Sequence, residues 1–312
     1  MRKKKNIVKA KPVKIKKILV PLDFSECSSN ALRKAITVAK FYMAELHLLH
    51  VTTPVYLTAT SSASLIPNGD AYYKKIMKSA AANMLKIANE IKDHEAVNVL
   101  VKTSLNTVYD AILDYSKKNK IDMIIMGTHG TSGIKEFFAG SNAFRIVSES
   151  EIPVITVQKR IQGKGFKRIV LPIRGEINSR QKVNLVASLA KTFMSTVLIT
   201  GYVKNNHPNE KRKVKVYMKQ VEDFLKAETI RSESTFISDP NFTKAIIKHA
   251  TNKKADLIAI MKNHDFGFDQ LLSGPYAQQF VNHSKIPVLS VPDTLEFEYS
   301  YENPISGGLT SN

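Results

Sequence analysis

The strongest constraint on the fold of this chain is a sequence pattern that occurs once in each half. Residues 17–24, KILVPLDF, and residues 168–175, RIVLPIRG, share an apolar run that closes with a proline and a turn. Two further pairs of segments align without a gap at one constant offset: 122–126 with 256–260, and 152–157 with 286–291. Self-similarity over so long a period predicts a duplicated domain of ordinary size.

Within the first half, apolar runs alternate with segments of helical periodicity. The predicted strands are 18–23, 45–51, 97–103, 122–127 and 153–158, and the predicted helices are 28–43, 71–93, 106–119 and 141–149. Ser28 and Asn106 are the predicted N-cap residues. Uninterrupted Val, Ile and Leu in strands that alternate with helices favour a parallel sheet covered on both faces. We therefore predict two tandem α/β domains, doubly wound and Rossmann-like, each with a five-stranded parallel sheet.

Charge divides the chain further. The 312 residues include 46 Lys and Arg against 27 Asp and Glu, a net charge of +19, and basic residues are concentrated at the N-terminus. The predicted division is a basic flexible arm at 1–16, a first domain at 17–159, a linker at 160–167, a second domain at 168–293 and an acidic tail at 294–312. A basic arm favours contact with a nucleic acid or an anionic surface, and a solvated tail also explains it.

Composition excludes several classes of protein. No apolar run approaches the ~20 residues that a membrane helix needs, so we expect no transmembrane segment. The charged start MRKKK lacks the apolar core of a secretory signal behind it. One cysteine, Cys27, excludes an internal disulfide framework. These observations predict a cytoplasmic protein.

Glycines follow the fourth predicted strand of the first half. Gly127, Gly130 and Gly140 come between that strand and a predicted helix that begins at Ser141. Glycine lets backbone N–H groups approach a ligand, and a helix N-terminus favours an anion, so the segment predicts a phosphate site. In a doubly wound sheet, ligands bind where the winding direction reverses, which would bring Asp23 and Gly127 to two sides of one crevice. The glycine spacing matches neither a P-loop nor a dinucleotide fingerprint.

These residues resemble the universal stress protein family, in its nucleotide-binding branch. The spacing Gly127-x2-Gly130-x9-Gly140-Ser141 matches the ATP-binding signature of that family, and the start of the first domain also matches. The resemblance implies an adenine nucleotide bound by Pro21, Asp23, Val51, Met126, Gly127, Gly130, Gly140, Ser141 and Asn142. In such proteins the residue that matches Asp23 and the backbone at Val51 hold the adenosine, and the glycine loop holds the phosphates.

Plainer interpretations stay open for parts of this site. A tight turn without a ligand would also use glycine at positions 127 and 130. His129 lacks a carboxylate or nucleophile at informative spacing, so we interpret it as a loop residue rather than a catalytic base. Cys27, in the first turn of a predicted helix, is expected to be buried and inert.

The second half has lost most of the signature. At the constant offset, Met261 and His264 replace the first two glycines and Pro275 replaces the serine. Counted from the strand starts, Arg174 stands where the first domain has Asp23. A proline removes an N–H group that a phosphate would use. We predict that the second domain does not bind ATP in this manner and is structural. An anion pocket of Lys262, His264 and Arg174 is the alternative.

The resulting functional hypothesis is a stress-response regulator. It would bind ATP, AMP or another adenine nucleotide, with or without Mg²⁺, and act on an unidentified protein partner, with at most slow ATP hydrolysis. The resemblance also implies that the last strands, 153–158 and 287–292, pair within the chain as a pseudo-dimer. Assembly of two chains into a homodimer stays open. A protein that docks on RNA, a ribosome or an acidic membrane through the basic arm is the alternative from another class, and a slow ATPase is a third.

Overall fold

A computed structural model of the chain describes residues 13–54, 69–128, 141–158, 165–262 and 276–293. The strands are β1 Lys17–Pro21, β2 Glu45–Thr52, β3 Val99–Leu105, β4 Met123–Gly127, β5 Val154–Val157, β6 Arg168–Ile173, β7 Thr196–Val203, β8 Arg231–Ser238, β9 Leu257–Met261 and β10 Val288–Val291. The helices are α1 Glu26–Tyr42, α2 Gly69–Glu95, α3 Val108–Asn119, α4 Ser141–Glu149, α5 Val183–Phe193, α6 Pro208–Ala227, α7 Phe242–Asn252 and α8 Tyr276–His283. Strands and helices alternate in both halves, as the sequence predicts.

All ten strands join in one sheet, in the order β3-β2-β1-β4-β5-β10-β9-β6-β7-β8. Pairing is parallel within each half and antiparallel at the seam, where β5 meets β10 with Ile155 opposite Leu289. The predicted fold class and the predicted pairing of the two last strands are both confirmed. Because β5 and β10 cover each other's edges, the two five-stranded sheets become a single continuous one.

Helices cover both faces of this sheet, which explains why its central strands are apolar without alternation. The consecutive β1 residues Ile18, Leu19 and Val20 are all fully buried, although neighbouring side chains on a strand point to opposite faces. One buried cluster combines α1, α2, α5 and α6 with one face, and a second combines α3, α4, α7 and α8 with the other. Each cluster contains residues of both domains, so the two domains share their core.

Two predicted helix starts are wrong. The N-cap of α1 is Ser25, whose side chain accepts a hydrogen bond from the Ser28 backbone N–H, and Ser28 lies in the first helical turn. The N-cap of α3 is Thr107 rather than Asn106, whose side chain accepts from the Thr107 N–H. In both cases the true cap has an extended backbone that aims its oxygen at an N–H group of the first turn.

Two segments predicted to lie outside the domains contribute to the core. Ile15, in the predicted arm, and Phe166, in the predicted linker, are both buried in the larger cluster. The remaining residues of the arm, 1–12, and the predicted tail, 294–312, lie outside the described residues. Within the described ranges, no helix has the length and hydrophobicity that a bilayer span requires.

Candidate functional site

The winding direction of the first domain reverses between β1 and β4. β1 lies beside β2 on one side and beside β4 on the other, and both pairings are parallel. The carboxyl ends of these strands therefore open one crevice, with Asp23 just beyond β1 and Gly127 at the end of β4. Pro21 closes β1, Val51 lies near the end of β2, and Met126 is buried next to Gly127. The position predicted for the site from sequence is the switch point of the observed sheet.

Asp23 is held in a tight turn before α1. Its Oδ1 accepts a hydrogen bond of 2.9 Å from the Ser25 backbone N–H, and the side chain is partly buried. Burial by itself would raise the pKa of Asp23, but hydrogen bonds from the Ser25 and Ser28 side chains and the Ser25 backbone outweigh it and lower the pKa. At neutral pH the crevice therefore contains a carboxylate that acts as a hydrogen-bond acceptor.

Phe24 and His50 form a wall beside Asp23. The Nδ1–H group of His50 donates to the Leu22 carbonyl oxygen at 2.7 Å, and the His50 ring lies 4.9 Å from the Phe24 ring. Phe24 has a φ of 64° and is 40% exposed. A left-handed backbone is unusual for a bulky residue, and such strain is concentrated at functional sites. Sequence reasoning gave neither ring a role, although Phe24 lies in the start of the first domain, which matches the family pattern.

The packing of α1 against β4 requires a glycine at position 127. A Cβ at this position would lie 2.8 Å from the Cys27 carbonyl carbon and 2.9 Å from the Ser28 backbone nitrogen. The first turn of α1 therefore presses directly on the end of β4. The Cys27 thiol, expected to be buried, is only partly so and donates to the Gln158 carbonyl oxygen at 3.2 Å. The role of the Gly127 N–H in phosphate binding stays a prediction.

The structure describes the phosphate side of the site only in part. Gly130, Gly140 and His129 lie outside the described residues, as does the side chain of Ser141. The backbone of α4 begins at Ser141, and Asn142 in its first turn is exposed. No group of three or more His, Cys, Asp or Glu side chains able to hold a metal ion occurs in the described part of the chain.

Comparison with known proteins identifies the family of the chain. The model of the universal stress protein family matches residues 14–158 and again residues 165–292. The chain belongs to the universal stress protein family. Its two family domains coincide with the two halves of the ten-stranded sheet.

Two members of the family align by sequence with about half of this universal stress protein, and a solved structure aligns with both halves. Universal stress protein MJ0531 of Methanocaldococcus jannaschii is 30% identical over 147 residues, which are 46% of this chain and 82% of that protein. Universal stress protein YxiE of Bacillus subtilis is 29% identical over 148 residues, 46% of this chain and 98% of its own. A solved universal stress protein of Archaeoglobus fulgidus superposes with a TM-score of 0.69 at 18% identity, covering 88% of this chain and 96% of that one.

The second domain has the same switch point, between β6 and β9, with different chemistry. Arg174 occupies the position after β6 that Asp23 occupies after β1, and its guanidinium pairs with Glu176 at 2.7 Å. Met261, in the position of Gly127, is buried. Lys262 donates to the Ser150 carbonyl oxygen of the first domain at 3.0 Å, and the alternative anion pocket of Lys262, Arg174 and His264 stays a prediction. His264 lies outside the described residues.

Proposed function

We propose that this universal stress protein binds ATP, or a related adenine nucleotide such as AMP, in its first domain and regulates a protein partner in the stress response. The observation that carries the proposal is the ionised carboxylate of Asp23 at the β1–β4 switch point, beside the glycine that ends β4. A partly buried carboxylate at this place in a doubly wound sheet suits the hydroxyl groups of a ribose. The matching glycine signature supplies the phosphate side.

Each part of the site has a role in this proposal. Asp23 accepts hydrogen bonds from the ribose, and the backbone at Val51 contacts the base. Pro21 and Met126 shape the walls of the crevice between them. The phosphates bind the backbone N–H groups of the glycine loop and of the start of α4, namely Gly127, Gly130, Gly140, Ser141 and Asn142.

The proposed activity is binding, with slow hydrolysis at most. Phosphoryl transfer requires ligands for a metal ion and a positioned base or nucleophile. Of the described residues, Asp23 is the carboxylate that we place in the crevice, and its Oδ1 is already bonded to the Ser25 N–H. Mg²⁺ would therefore depend on the nucleotide phosphates for most of its ligands. A nucleotide that stabilises one conformation changes the surface offered to a partner, which we place in the cytoplasm.

The test combines identification of the ligand with a matched pair of variants. Small molecules released from the purified protein are identified by mass spectrometry, and ATP and AMP are titrated calorimetrically. Asp23→Ala should weaken the binding of the nucleotide about 10- to 100-fold, because it removes hydrogen bonds to a charged acceptor. Asp93→Ala, at an exposed position on α2, is the control and should bind like the parent. An empty protein that neither nucleotide stabilises would refute the proposal.

A further inference from the structure

The switch point of the second domain encloses a small cavity of about 30 Å³. Its polar lining comes from Arg174, Glu176, Ser179 and Lys182, and the rings of Phe242 and Tyr276 form part of its apolar wall. This volume holds about two or three water molecules, whereas nucleotide-sized ligands need pockets of roughly 300 Å³ or more. The cavity therefore suits a small ion.

The basic groups of the cavity are incompletely bonded. Lys182 is 2% exposed, and Ser179 O is the one hydrogen-bond acceptor that the described residues give its ammonium group, which has three N–H bonds. The guanidinium of Arg174 lies over the rings of Phe242 and Tyr276, at 4.9 and 4.8 Å, and its Nε is buried without an acceptor in the described part of the chain. Buried donors of this kind normally have partners.

The cavity also contains an acceptor without a donor. Glu176 pairs with Arg174 through Oε1, while its Oε2 is buried and has no donor among the described residues. A ligand that satisfies all of these groups needs several oxygen acceptors and at least one O–H group. Hydrogen phosphate has both, whereas sulfate at neutral pH has acceptors only.

The charge of the cavity favours an anion. Two basic side chains, Arg174 and Lys182, face one carboxylate, Glu176, and α5 begins just beyond Lys182 without a side-chain cap. The positive end of the helix dipole adds to this excess. Burial, reinforced by the positive charge of Arg174, lowers the pKa of Lys182 to about 7 despite the nearby Glu176. An anion would offset the cost of these buried positive charges.

We propose that this cavity is a binding site for a small oxyanion that carries a proton, with hydrogen phosphate as its representative. The oxygen atoms of the anion accept hydrogen bonds from Lys182 and from Nε of Arg174, and its hydroxyl group donates to Oε2 of Glu176. The site is separate from the nucleotide site of the first domain, so it does not depend on the function proposed there.

The experiment is a calorimetric titration of the full chain with inorganic phosphate in a phosphate-free buffer at pH 7. Lys182→Met should weaken the binding at least about tenfold, because one charge-assisted hydrogen bond is lost. Lys248→Met, on an exposed position of α7, is the matched control and should leave the affinity unchanged. Sodium sulfate should bind the parent at least about tenfold more weakly than phosphate. A parallel titration with glycerol phosphate separates a free phosphate ion from a phosphomonoester.

Two results would overturn the proposal. The first is the absence of heat or thermal stabilisation with either phosphate compound at millimolar concentration. The second is equal phosphate affinity in Lys182→Met and the parent, which would place the ion elsewhere, for example on the glycine loop of the first domain. If Lys182→Met does not fold, Glu176→Gln provides the test. This variant should bind phosphate and sulfate equally well, because it removes the acceptor for the phosphate hydroxyl group. A preference for phosphate that persists would refute the assigned role of Glu176.

Discussion

The two switch points of this protein have the same strand topology and opposite chemistry. In the first domain, Asp23 follows β1, and α1 starts at Glu26 and presses on Gly127. In the second domain, Arg174 follows β6, and α5 starts only at Val183, after a short 3₁₀ helix. The difference shows that a duplicated core tolerates the replacement of its site, because core packing depends on strand and helix faces and ligand chemistry depends on the loops.

The residue that ends β4 differs from the residue that ends β9, and each affects the packing of its neighbours. Gly127 leaves room for the backbone of α1, which a side chain would displace. Met261 places a buried side chain at the matching position, and in the second domain it lines the small cavity that also contains Lys182. The replacement of the glycine by Met261 is therefore accompanied by a helix, α5, that begins later after its strand than α1 does. The outcome is a carboxylate beside a glycine at one switch point and a small polar cavity at the other.

The largest expected effect comes from adding a Cβ at this contrasting position. Gly127→Ala should lower the free energy of unfolding by about 1–3 kcal/mol, since the new atom meets the backbone of Cys27 and Ser28 rather than a movable side chain. The measurement is urea denaturation followed by circular dichroism. Gly175→Ala in the second domain is the matched control, because its Cβ would meet only the flexible side chain of Glu210, at 3.2 Å. Equal losses in both variants would contradict the close packing inferred for α1.

A smaller effect concerns the pH dependence of stability in the second domain. The folded-state pKa of Lys182 is about 7 against an ordinary value of 10.5, so the unfolded chain binds more protons between these values and stability rises with pH across that window. From pH 7 to 9 the gain should be about 2 kcal/mol. Arg174, Glu176 and Tyr276 face this ammonium group across the cavity.

The measurement is urea denaturation at pH 7, 8 and 9 in phosphate-free buffer, with Lys182→Met in parallel. The variant should lack this share of the rise, so its free energy of unfolding minus that of the parent should fall by about 2 kcal/mol between pH 7 and 9. Parallel curves for the two proteins would show that Lys182 keeps an ordinary pKa.

Asp23, at the switch point of the first domain, has the opposite pH dependence. Its pKa in the folded protein is lowered from the ordinary value of 3.8. The stability that it contributes is therefore present above this value and is lost only in stronger acid.

The smallest effect tests how the altered loop of the second domain contacts the first. Lys262→Met removes the hydrogen bond to the Ser150 carbonyl oxygen, next to the end of α4, and should cost about 1 kcal/mol because the ammonium group is partly exposed. Lys248→Met, exposed on α7, should have no measurable effect. Chemical denaturation of both variants measures the difference, and indistinguishable midpoints would show that the contact between domains contributes nothing.

Much of the fold was predictable because it depends on repeated local patterns. Apolar strand runs such as 122–126 and 256–260 predicted the duplication and the parallel order, whereas the pairing of the last strands was expected from the family resemblance. The N-caps were not predictable from residue type, because Ser25 and Ser28 are both good caps and only the backbone conformation distinguishes them. The reach of Lys262 to the other domain depends on the antiparallel seam, which no local pattern reports.

The sequence by itself determined the fold class, the duplication and the single intact signature that includes Gly127, Gly130 and Asp23, since each depends on residue type at fixed spacing. Only the tertiary structure decided what those positions contact. It showed that Gly127 makes room for α1, that hydrogen bonds lower the pKa of Asp23, and that Lys182 is buried beside Arg174. Spacing along a chain specifies which residues share an element, whereas burial and charge pairing arise between elements that are distant in sequence, and these set the chemistry of both crevices.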